Sequence, residues 1–141
     1  MSKALSIRKE AEKRIVASGI AKTVVRGRRL FSSEELPGIC IYMDRRDKDS
    51  RQGQRIKFSP DLVIEYFHAT DPQIENDDLA DAMIAQIQAA MEVEPMRLAG
   101  DIVLSPGIDY QSDDIEYPDD AGGQMSVIVR YAVPHIEAIG E

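Results

Sequence analysis

At 141 residues and 43% apolar content, the chain holds enough hydrophobic material for one domain with a real core, and is too short for two ordinary ones. A formal net charge of −8 disfavours a general nucleic-acid binder, which needs excess Lys and Arg to neutralise phosphates. The lone Cys40 has no disulfide partner in the chain, no apolar run approaches the roughly 20 residues that span a bilayer, and the charged N-terminus lacks a signal-peptide core; a soluble cytoplasmic protein is expected.

Residues 3–20 predict a first helix. Ala4, Ile7, Ala11 and Ile15 recur at spacings of three and four, with Val16 and Ile20 beside them. Arg8, Lys9, Glu10, Glu12, Lys13 and Arg14 take the remaining surface, and Gly19 is the expected stop. Residues 23–31 read as extended. Lys22, Arg26 and Arg28 alternate onto one face there, either solvated or set against an acidic neighbour.

The polar stretch 32–35 leads into the turn Leu36-Pro37-Gly38, which launches a strand over 39–43. Ile39, Ile41 and Met43 share one face of it; Cys40 and Tyr42 share the other. Cys40 reads as a small strand residue, because no histidine or acid stands at a dyad spacing from it.

Residues 44–53 read as a charged loop that, with the start of the next strand, makes a basic hairpin over 44–55. Asp47 and Asp49 begin a calcium-loop pattern, which then fails: Arg51 replaces a ligand, Gln52 the turn glycine and Phe58 the closing glutamate. Strands are expected over 54–58 and 62–67. The interruption at Ser59-Pro60-Asp61 fits a bulge, an edge strand or two separate strands. Neither His68 nor His135 has a ligand-spaced partner, so both read as ordinary surface or boundary residues.

Residues 76–93 form the second helix and the centre of the reading. Leu79, Met83, Ile84, Ile87 and Met91 make one apolar stripe, Asn76 is a candidate cap, Asp77 and Asp78 suit the positive end of the dipole, and Pro95 ends the helix. A strand is expected within 96–104. Residues 109–120 read as an acidic loop in which six carboxylates repel one another unless a basic surface faces them. The closing strand spans 124–133, with Met125, Val127, Val129 and Tyr131 on one face. Residues 135–141 read as a loose tail.

These elements predict a single α+β domain over 1–141, with a mixed or antiparallel sheet and two main helices on one face, in the order α-β-β-β-α-β-β. There is no Gly-rich phosphate loop, CxxC, HExxH or nucleophile elbow. No catalytic, cofactor-binding or metal-binding residue is singled out, and no enzymatic activity or cofactor is expected.

The element order and its segments resemble the tail-terminator family of long-tailed phages, the minor tail protein U-like proteins. The resemblance covers nearly the whole chain: the N-terminal helix running into Val24-Val25, Leu36-Pro37-Gly38-Ile39-Cys40-Ile41, the charged hairpin, the strand around Ile56 and Phe58, the helix over 77–91, and Val127-Ile128-Val129-Arg130-Tyr131. Head-closure and tail-completion proteins share much of this pattern, and a small ligand-binding or regulatory domain is a more distant alternative. The resemblance implies a virion protein, assembled in the host cytoplasm without a membrane. Its six-subunit ring would cap the tail tube, stop polymerisation and meet the head–tail connector protein, while DNA passes through without specific binding. A ring needs two unlike patches that meet head to tail. The candidates are the basic hairpin (Arg45, Arg46, Lys48, Arg51, Arg55) and the acidic segment (Asp113, Asp114, Glu116, Asp119, Asp120).

Overall fold

The computed structural model describes residues 3–44, 48–69, 76–98, 102–104, 107–116 and 124–138. Helix α1 spans Lys3–Ser18 and α2 spans Asn76–Met91. The strands are β1 (Thr23–Arg26), β2 (Gly38–Asp44), β3 (Lys48–Gln52), β4 (Arg55–Phe58), β5 (Asp61–Ala69), β6 (Arg97–Leu98), β7 (Ile102–Val103), β8 (Asp109–Glu116), β9 (Gln124–Ala132) and β10 (His135–Ala138). The fold is α+β. A five-stranded mixed sheet runs β1-β2-β5-β9-β8, a three-stranded sheet runs β10-β4-β3, and β6 and β7 pair as a short ribbon.

Strand alternation builds the core. Ile39 and Ile41, Leu62, Ile64 and Tyr66, and Met125, Val127, Val129 and Tyr131 are buried on one face of the large sheet. Cross-strand partners share a face, so the register Ile41↔Ile64↔Val129 stacks these residues in a continuous layer. Ile7, Ala11 and Ile15 of α1 and Ala80, Ile87 and Met91 of α2 close over that layer. Leu79, Met83 and Ile84 of the predicted stripe pack on it half-buried.

Helix α1 stops where glycine permits it: Gly19 takes φ +69° and its N–H reaches the Val16 carbonyl. Val16 faces solvent rather than the core. Asn76 does not cap α2. It is the first helical residue, and its buried Oδ1 makes no hydrogen bond with the described residues.

Arg14 departs most from its expected surface position. It is buried, and its guanidinium donates to the carbonyls of Met91 (2.6 Å), Glu94 (2.9 Å) and Pro95 (3.0 Å). Glu10, one turn earlier, adds an ion pair at 3.2 Å. No basic residue occupies the last turn of α2, so the cation its C-terminal dipole favours comes from α1.

The break at Pro60 resolves as two strands in different sheets, and the expected loose tail contains β10. Antiparallel register continues unshifted across the break: Asp61 faces Ala132 in the large sheet and Phe58 faces His135 in the small one. The two strand pairs thus share one register, interrupted at Pro60 and Pro134, which lack the N–H needed to continue a ladder. A Val133 N–H to Pro60 carbonyl bond of 3.0 Å spans the interruption. His135 is buried, not a boundary residue, with Nδ1 3.0 Å from the Val133 carbonyl. The Glu137 carboxylate in β10 accepts the Ala4 N–H at 3.3 Å, tying the small sheet to the start of α1.

Arg14→Ala leaves three carbonyls and Glu10 without their cation and should cost about 3 kcal/mol in urea unfolding. Lys13→Ala, at the adjacent exposed position, should stay within about 0.5 kcal/mol of the unsubstituted protein.

Candidate assembly surfaces

The basic hairpin is largely paired structure, not loop. Residues 48–52 form β3, antiparallel to β4, with a two-residue turn at Gly53 (φ +62°) and Gln54. Arg51 and Arg55 are exposed, and Arg51 Nε bonds the Gly53 carbonyl at 2.9 Å, which holds the turn. Lys48 is the first residue of β3. Arg45 and Arg46 lie outside the described residues.

The acidic loop is in part a strand. Residues 109–116 form β8 at the outer edge of the large sheet, paired antiparallel with β9; Asp119 and Asp120 lie outside the described residues. Its carboxylates do not crowd one cluster. Asp113 pairs with Val129, on the helix side of the sheet, while Asp114 and Glu116 pair with Ile128 and Ser126, on the other. All three are exposed, and Tyr110 donates its hydroxyl to Asp113. Half-buried Tyr110 and Ile115 pack against the core and carry the strand. A register shift between Tyr110 and Ser112 interrupts the two-residue period that would have revealed it.

Among the described residues, no ion pair joins the hairpin to β8. β8 and β3 each have a single strand neighbour, while Arg55 lies on β4, between β3 and β10.

The sheet face opposite the helices is covered by the segment between β1 and β2. Phe31 inserts there, edge-on to Phe67 at a centroid distance of 5.6 Å. Arg29 and Gln124 fasten the segment: Gln124 donates to the Phe31 carbonyl (2.9 Å), and Cys40 Sγ donates to the Arg29 carbonyl (3.5 Å). Residues 33–35 form a 3₁₀ turn. The Ser32 N–H, then the Arg29 guanidinium, hold the Glu35 carboxyl below its ordinary pKa. Leu30, expected to be part of a strand, projects into solvent at the apex.

Beneath this segment lies a polar group that periodicity gave no reason to single out. Glu65, 2% exposed in the middle of β5, accepts the Tyr42 hydroxyl at 2.9 Å, and Arg28 Nε lies 3.8 Å away. Arg26 pairs with Glu12 at 3.3 Å. The alternating arginines therefore meet acidic neighbours of the same chain, while Lys22 donates to the Glu34 carbonyl. Beside Tyr42, an open groove of about 680 Å³ is lined by Arg8 and Glu12 of α1, the end of β1 with Gly27, and Met43. The Arg26–Glu12 pair lines it as well.

Burial pushes the Tyr42 hydroxyl up to about 12, reinforced by Glu65, and burial pushes Tyr66 up to about 12. Burial also raises the Cys40 thiol, which is the opposite of the depressed pKa that activates a nucleophile. Among the described residues, no cluster of three or more His, Cys, Asp or Glu is arranged to hold a metal ion, and no helix is long and apolar enough to cross a membrane. No protein-family model matches the chain, and no curated protein matches it in sequence.

Tyr42→Phe should cost about 2 kcal/mol by depriving a buried carboxylate of its donor. Its folded pKa lies above the unfolded value of about 10, so its contribution is complete below pH ~10 and lost as pH rises through about 12. Urea midpoints across that range should fall less steeply in the Phe variant. At Gly38 an added Cβ would lie 2.8 Å from the Phe31 ring. Gly38→Ala should therefore unseat Phe31 and cost about 1–3 kcal/mol, read by thermal unfolding.

Proposed function

We propose that the protein is a non-enzymatic structural subunit of the tail-terminator kind. Six copies would close into a ring that caps the tail tube, ends its growth and offers a joining surface to the head–tail connector. The observation that carries this reading is the separation of opposite charge onto two different sheet edges. The hairpin bearing Arg51 and Arg55 ends the small sheet, and β8 bearing Asp113, Asp114 and Glu116 ends the large one.

Two unlike, complementary patches on one subunit favour head-to-tail contacts, and head-to-tail contacts produce rings when their rotation closes. Charges at such a rim steer encounter and set register more than they add affinity. The net charge of −8 suits a ring through which DNA slides, because like charge repels phosphates. The copy number of six comes from the family resemblance.

Native mass measurement over rising protein concentration, and on assembled tails, should give a closed six-subunit species. Raising salt from about 0.05 to 0.5 M should weaken its assembly by screening the rim charges. A monomer at all concentrations, with no fixed copy number on tails, would overturn the reading.

A further inference from the structure

We propose that β8 of one copy and β3 of the next lie side by side as neighbouring strands, so that subunits join through their backbones as well as their charges. This rests on the ring reading above and specifies its contact.

A strand with one neighbour presents a row of N–H and C=O groups on its open side, ready to pair with another chain. Among the described residues, four strands end the two larger sheets: β1, β8, β3 and β10. β1 and β10 have four residues each, and both contact α1. β8 is the longest edge, at eight residues.

Charge then selects its partner. β8 carries Asp109, Asp113, Asp114 and Glu116 and no basic residue. A second β8 would set carboxylates against carboxylates, so symmetric pairing about a two-fold axis is disfavoured. The β3–β4 hairpin is the opposite: Lys48, Arg51, Arg55 and Lys57 outnumber its single acid, Asp49. Two hairpins would repel for the same reason. Each edge thus rejects its own kind and accepts the other, which leaves the head-to-tail arrangement. Both strands also carry a register shift near one end, at Tyr110/Ser112 and at Lys48/Ser50. The regular stretches beyond those shifts, 112–116 and 50–52, contain Asp113, Asp114 and Glu116 on one side and Arg51 on the other.

The test uses two variants of the full chain. One is Asp114→Lys with Glu116→Lys; the other is Arg51→Glu with Arg55→Glu. All four positions are exposed. Each variant alone sets like against like and should assemble at least tenfold more weakly than the unsubstituted protein. An equimolar mixture restores both contacts in alternation and should recover the assembly. In that mixture, backbone amides of β8 should exchange with solvent at least tenfold more slowly than in the separate variants. Independently, Ser112→Cys with Ser50→Cys in one chain should yield a disulfide-linked ladder under mild oxidation, a readout that does not depend on the charge variants folding.

Assembly of either variant alone at the unsubstituted strength, a mixture that fails to recover, or no ladder despite a ring forming would overturn the strand contact while leaving the ring reading intact. A chain that never assembles, substituted or not, removes both.

Discussion

The Arg14 guanidinium joins the two helices of this fold into one layer. It sits in the fourth turn of α1 and reaches the end of α2 and the chain leaving it, where the Met91, Glu94 and Pro95 carbonyls converge. Helix C-termini leave carbonyls that the helix cannot satisfy. Here the usual local remedies are missing, since no glycine follows Met91 directly and no basic residue lies in the last turn. A planar fork with several donors suits three oxygens better than an ammonium would. Burying that charge is expensive in isolation, and Glu10 together with three charge-assisted hydrogen bonds offsets the cost. The consequence is positional: the segment that Arg14 holds leads directly into β6, which also packs on α1.

The rest of the architecture follows from covering a sheet on both sides. The helices cover one face, and the segment carrying Phe31 covers the other, so β5 and β9 are buried on both faces along most of their length. Burial on both faces leaves little room for charge on the inner strands: Arg130 of β9 is partly exposed and pairs with Asp44, and only Glu65 is fully enclosed. Glu65 is held there by Tyr42 and Arg28, a specific and costly arrangement that a hydrophobic residue of similar volume would not require. Charge is otherwise displaced to the perimeter, which is where the acidic β8 and the basic hairpin lie.

The two helices and the strands β2, β5 and β9 were legible because their apolar periods are long and unbroken. From Met125 to Val133 every second residue is apolar, and the α2 stripe from Leu79 to Met91 keeps its spacing over more than three turns. What was hidden shares a different physical origin. β8 reads as a loop because its stabilising residues, Tyr110 and Ile115, are few and its bulge breaks their period, while its acids dominate the composition. β10 has four residues after a proline, too short for alternation to register, and depends on pairing with β4 across the chain. Arg14 stands three residues after Ala11 and seven after Ile7, on the apolar face of α1, but its charge masks that position, and only the fold brings the end of α2 to its side chain. The same holds for Glu65, whose partners come from β2 and from the segment before it. Of the candidate surfaces, the charges themselves could be read, but not that Arg51 and Asp113, Asp114 and Glu116 stand on edge strands.

A shared ribbon connects those two edges. β4 and β10 continue the register of β5 and β9 past Pro60 and Pro134, and the Val133 N–H to Pro60 carbonyl bond spans the interruption. Each pair of neighbouring strands adds roughly 20–25° of rotation, so the orientation of one charged edge relative to the other accumulates over every strand between them. On the proposed reading, that accumulated rotation, and not the twist of a single added strand, decides whether head-to-tail contacts close. The prolines at 60 and 134 place a change of sheet within the path, and the ladder bond between Val133 and Pro60 keeps the register of the two sheets fixed across it.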